Sequence, residues 1–175
     1  VNSGLGPFYD GALHLLLSPG DLLGMVAVAL LAGLRGAQAG RWIVVVLPLA
    51  WLFAGLLGLR SSVSPDLGWL SIVSFLVLGL LVALDARIPH WAVALLAGMY
   101  AMLQGFLNGA TLAAIGAGSV TLFGIVMAVL MIALLTAAAV VPLRALWSRI
   151  LVRVAGSWIV AVGLLMLGWL MQGAG

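Results

Sequence analysis

The sequence predicts an all-α fold: a polytopic membrane bundle of six transmembrane helices, preceded by a short N-terminal half-helix at its outer end. Three observations predict it. Only 6% of the 175 residues are charged while 66% are hydrophobic, and the mean hydropathy is +1.35. Soluble domains carry roughly 25% charged residues, so this inventory cannot coat a surface that faces water. Six apolar runs approach the about 20 residues that a helix needs to cross a hydrocarbon core of roughly 30 Å. Finally, all seven cations are Arg and all four acids Asp, and the arginines gather in alternate connections.

The elements follow in chain order. "PFYDGALHLLL", residues 7–17, makes roughly 16 Å of helix, too short to cross. "SPGD" then reads as a helix start, with Ser18 at the cap, Pro19 in the first turn and Asp21 three residues past the cap. Residues 1–18 thus form an outer or re-entrant segment and residues 19–175 the six-helix bundle, together one transmembrane domain. Irregular backbone at membrane depth survives only where protein or a wet cavity covers it, so the opening segment should pack against the bundle. The first crossing spans 19–34 and ends at "RG", the second 42–59, ending at Arg60, and the third 67–84, ending at "DAR". The fourth is 91–107, the fifth 118–141 and the sixth 155–171. The longest connection, 142–154, is short and basic and leaves no room for a soluble domain.

Orientation follows from the cations. Connections after the first, third and fifth crossings hold Arg35, Arg41, Arg87, Arg144, Arg149 and Arg153; those after the second and fourth hold only Arg60. The positive-inside rule puts the six in the cytoplasm and both termini outside. The chain opens on Val rather than Met, so either it begins late or a leader (signal peptide) has been removed; a cleaved leader also puts the N-terminus outside. Trp42, Trp69, Trp91, Trp147 and Trp169 fall near expected helix ends, where interfacial aromatics belong. Among the 23 glycines, Gly20/Gly24, Gly36/Gly40 and Gly105/Gly109 have the small-xxx-small spacing that lets helices approach closely. A pI near 10.7 reports topology here rather than a nucleic-acid partner. Zero Cys excludes disulfides and thiolate chemistry.

Ionisable groups need compensation in so apolar a chain. Asp10 and His14 are four apart and share a helix face; the carboxylate could fix the ring's tautomer and free its other nitrogen for a ligand. Asp21 lies beyond the turn and could fold back toward them. A neutral imidazole with carboxylates suits a borderline divalent ion such as nickel, cobalt or zinc. Alternatively Asp21 faces the helix dipole and Asp10–His14 is a solvated pair. In "MYAMLQGFLNGAT", Gln104 and Asn108 are also four apart. They either bond across to a neighbouring helix or line a polar path as weak oxygen ligands facing the Asp10–His14–Asp21 group. Asp85, Arg87 and His90 read as a solvated local ion pair with an exit-side role as the alternative. Met99/Met102 and Met127/Met131 read as packing, and Ser71 and Ser74 as bonding back to the helix backbone. No HExxH, GxSxG, P-loop or haem-attachment pattern occurs, and an enzyme is not expected.

These residues carry a family likeness. "GDLLGMVAVALLAG" (20–33), "LGLLVAL" (78–84), "ARIP" (86–89) and "QGFLNG" (104–109) resemble the HupE/UreJ proteins, small bacterial permeases associated with nickel or cobalt supply. The family's first signature is His, five residues, Asp-His; His14 matches its first His, while Gly20 and Asp21 stand at the Asp and the second His. The second signature, Phe-His-Gly-x-x-His-Gly-x-Glu, becomes Leu103-Gln104-Gly105, Phe106-Leu107, Asn108-Gly109, Ala110, Thr111. Both glycines remain, both histidines are amides and the Glu is Thr. The resemblance implies a six-crossing fold, the bacterial inner membrane, and a divalent-cation permease whose partners are metal ion and lipid. It would capture the ion at Asp10, His14 and Asp21, and Gln104 and Asn108 would pass it on. With no ATP-binding motif, transport would run on an ion gradient or the membrane potential. The replaced ligands leave a second reading open, a non-transporting accessory subunit of a larger membrane complex; an isolated homo-oligomer that binds metal would count against that reading.

Overall fold

The computed structural model describes residues 4–61, 68–143 and 146–173. Every regular element among them is a helix: α1 Pro7–Leu17, α2 Pro19–Arg35, α3 Ala37–Leu59, α4 Gly68–Ala83, α5 His90–Ala114, α6 Ser119–Val140 and α7 Leu146–Gly173. Residue 67, where the third crossing was expected to begin, lies outside the described residues, as do Arg144 and the first three residues.

Four helices, α3, α5, α6 and α7, are each long and apolar enough to cross a membrane. The bent pair α1–α2, which turns by 75°, passes the same test as one unit, and α4 is a shorter apolar helix of 16 residues. The bend is written locally. Pro19 cannot donate a backbone N–H to α1 and suits the first turn of α2. Ser18 does not cap α2 as its sequence context suggests. Its hydroxyl instead donates to the His14 carbonyl at 2.7 Å, closing off the end of α1.

α2, α4 and α6 run toward one end of the bundle and α3, α5 and α7 run back. Gly55 on α3 sits against Gly109 of α5 and Leu122 of α6, while Gly40, near the start of α3, faces Val141 just past the end of α6. α2 is the hub: it touches each of the other six helices, and Ala27, Ala29, Leu31 and Ala32 are fully buried. The closest pairing is α3 with α5. A methyl group added to Gly109 would collide with the Gly55 carbonyl, one on Gly105 with the Trp51 carbonyl and one on Gly58 with the Phe106 carbonyl. The Gly105/Gly109 spacing thus works as the sequence predicts. Gly24 accommodates the Tyr100 ring instead of a helix backbone, and Gly36, at φ +101°, forms the one-residue turn between α2 and α3. α1 lies on α6, with Gly11 against the Thr121 carbonyl and Gly124 against that of Phe8. The five expected interfacial tryptophans are all exposed.

Boundaries shift in three places. α3 begins at Ala37 rather than at 42, α5 runs two turns past residue 107, to Ala114, and α7 begins at Leu146 rather than near 155. Arg41, Arg149 and Arg153 therefore stand on helices, not in loops. This changes the reading of Asp85: no local pair with Arg87 forms. Asp85 ends α4 in the left-handed region (φ +49°), and its carboxylate bridges Arg35 at the end of α2 and Arg149 at the start of α7. Arg153 Nε donates to the Ala83 carbonyl at 2.9 Å. Arg87 and His90 are exposed. The triad ties three helices together at the arginine-rich end.

Candidate functional site

At the opposite end the polar residues occupy two adjoining places. Asp21, in the first turn of α2, is 8% exposed. Its Oδ2 accepts a hydrogen bond from Asn108 Nδ2 at 3.0 Å, and the same amide nitrogen donates to the Gln104 carbonyl at 2.9 Å. One turn along α5, Gln104 Nε2 donates to Ser71 Oγ on α4 at 2.7 Å, and Ser74 Oγ donates to the Ser71 carbonyl at 2.7 Å. One turn further, the Tyr100 hydroxyl donates to the Asp21 carbonyl at 2.8 Å. Residues 100, 104 and 108 share one face because four residues make just over one turn, and that face looks onto α2 and α4. At 1.5 Å per residue, Asn108 and Gln104 lie about 9 and 15 Å along α5 from its Ala114 end.

Asp10 and His14 line a cavity of about 330 Å³ at the same end of the bundle. Its far wall is Thr121 and the α5–α6 connection, Ile115 to Gly118. Both side chains are half-buried. His14 lies close enough to Asp21 for their charges to interact, so it stands between the cavity and the buried carboxylate. The four-residue spacing of Asp10 and His14 does put them into one space. Asp21 reaches the bundle interior instead, held by Asn108.

Among the described residues, no three His, Asp or Glu side chains gather closely enough to form a metal-binding group. The donors are spread along a line: Asp10 and His14 in the cavity, Asp21 behind them, then Asn108 and Gln104. Both amides also bond across to neighbouring helices, the structural alternative that the sequence left open. Thr111, at the place of the family Glu, is exposed, and its hydroxyl donates to the Leu107 carbonyl of its own helix at 2.9 Å.

Sequence reasoning missed two members of the site. Tyr100 is signalled only by its place four residues before Gln104. Thr121 is signalled by nothing in its own context, since α1 approaches it across the fold. Ser74 bonds back to its helix as expected, while the Ser71 hydroxyl accepts from α5, which was not expected.

A model of the family described as HupE / UreJ protein matches residues 2–166. No curated protein and no solved structure gives a match.

Proposed function

Because the chain belongs to the HupE/UreJ family, we propose that it is a secondary permease for a divalent cation of the nickel or cobalt class, sited in the bacterial inner membrane with both termini outside. The family itself implies a role in nickel or cobalt transport, or in accessory support of it. The observation that carries the finer reading is the contact between Asp21 and Asn108. These two positions stand where the two family signatures carry histidines, and they meet although one lies on α2 and the other on α5. In this reading Asp10 and His14 receive the ion in the outer cavity, and Asp21, Asn108 and Gln104 relay it inward. Moving one elementary charge down the membrane potential yields about 2.3 kcal/mol per 100 mV, enough to drive uptake without nucleotide.

Uptake of radiolabelled nickel and cobalt by cells expressing equal amounts of the chain tests this. Asp21→Ala and His14→Ala should each remove most of the uptake, whereas Met99→Leu, on the exposed face of α5, should not. Unchanged uptake in the first two variants would defeat the permease.

One observation favours the accessory reading. α7 has only 22% of its apolar stretch buried, against 39–44% for α3, α5 and α6, and Trp158, Leu165, Trp169 and Met171 are all exposed along it. Such a face suits a neighbouring membrane subunit. Purification in mild detergent separates the readings: a stoichiometric partner held through α7, with no uptake, supports the subunit.

A further inference from the structure

α3 and α6 pack tightly where Gly55 meets Leu122 and stay in contact at the arginine-rich end, where Gly40 faces Val141 and Ala137. The small side chains at Gly40, Ala137 and Ala138 leave an open groove of about 650 Å³ on the outer surface along that contact, within the roughly 300–1,000 Å³ of ligand pockets. Its walls are apolar, including Val44, Val45, Leu134 and Pro142, and Arg41 is the single charged residue on them. Three other arginines at this end are engaged, Arg35 and Arg149 with Asp85 and Arg153 with the Ala83 carbonyl, and Arg87 does not line the groove. Arg41 is exposed and bonds to no described residue. The neighbouring Trp42 is also exposed, as suits a residue at headgroup level. An apolar cleft between helices with a free guanidinium at headgroup depth combines the two features that anionic phospholipids recognise.

We propose that the α3–α6 groove binds one anionic phospholipid, its phosphate on Arg41 and an acyl chain along the apolar walls. The charge argues for this occupant over a second copy of the chain: a helix from another copy would fill the apolar space but leave the guanidinium unpaired. The proposal is independent of whether the chain transports an ion.

Native mass spectrometry of the full chain, purified in mild detergent and mixed with phosphatidylglycerol or phosphatidylcholine, tests it. The wild type should retain one phosphatidylglycerol in several-fold preference to phosphatidylcholine. Arg41→Gln should abolish the preference and Arg41→Lys keep most of it. Ala138→Trp, at an exposed position, should fill the groove and reduce retention of both lipids. Equal retention of the two lipids by the wild type, or an Arg41→Gln variant that still prefers phosphatidylglycerol, overturns the proposal. A dimer that Ala138→Trp dissociates also overturns it and assigns the groove to a second copy.

Discussion

Asn108 on α5 donates to the Asp21 carboxylate on α2 at 3.0 Å, a contact between residues 87 apart in the chain. A buried acceptor that loses its donor costs about 1–3 kcal/mol, whereas replacing both partners by apolar groups is often close to neutral. Asn108→Leu should therefore destabilise the bundle by about that amount, and adding Asp21→Leu should restore much of the loss. Denaturation of the four members of the cycle by sodium dodecyl sulfate, followed by tryptophan fluorescence, measures the coupling. Additive single effects would mean that the two side chains do not act on one another.

The other end of the bundle depends on one acid. Asp85 meets both Arg35 and Arg149, whose side chains are 12% and 38% exposed. Arg35 Nε is moreover buried without a partner among the described residues. Removing the acid strands a mostly buried cation, a change that costs about 3–5 kcal/mol in a fully buried pair; some remaining exposure puts the expectation near about 3 kcal/mol. Removing Arg149, the more exposed partner, should cost at most about 1 kcal/mol. The expected order of stability is wild type, then Arg149→Ala, then Asp85→Ala, and an Arg35→Leu/Asp85→Ala variant should exceed Asp85→Ala. Equal midpoints for Asp85→Ala and Arg149→Ala in the same unfolding assay would remove Arg35 from the argument.

The residues that local pattern could and could not reveal differ in sequence distance. The break between α1 and α2 is legible because Ser18 and Pro19 act within a turn of themselves, and the shared cavity of Asp10 and His14 follows from a four-residue spacing. The Asp85 partners do not follow: Arg87 is two residues away and Arg35 is fifty, so local reading favours the wrong arginine. Arg149 and Arg153 suggested a loop because they are charged. Long arginine stems can instead run along apolar surface and bring the charge to a helix end, where these two find Asp85 and the Ala83 carbonyl. Likewise the spacing rule found Gly105 and Gly109 but overlooked Gly55 and Gly58, which oppose them at a three-residue spacing. That Asn108 would face Asp21 could be anticipated from the two signatures. That Gln104 would turn to Ser71 could not.

The α3–α5 contact carries its own test. A Cβ at Gly109 would drive into the Gly55 carbonyl and backbone, which cannot yield as a flexible side chain can, whereas one at Gly98 would meet only Val46 Cγ1 at 3.4 Å. Overpacking of this kind costs about 1–3 kcal/mol. Gly109→Ala should therefore lower the thermal midpoint in detergent by several degrees. Gly98→Ala should leave it unchanged or raise it, since Ala is the better helix former. Equal shifts would show that helix propensity, not backbone contact, governs both positions.

The direction of insertion follows from the ends of α5. This 25-residue helix is about 37 Å long, so His90 and the residues just past Ala114 emerge on opposite faces of a bilayer. Arg35, Arg41, Arg87, Arg149 and Arg153 gather at the His90 end, while the other end holds Asp10, Asp21 and Arg60. The positive-inside bias then predicts His90 in the cytoplasm and Gly118 outside. The chain has no Cys, so single cysteines report cleanly. His90 is exposed, and a Cβ at Gly118 meets nothing within 4 Å, so both substitutions should be tolerated. A membrane-impermeant maleimide should label Gly118→Cys in intact cells and His90→Cys only after permeabilisation. The reverse pattern would invert the topology and place the Asp10–His14 cavity on the cytoplasmic face, where it could not receive an ion arriving from outside.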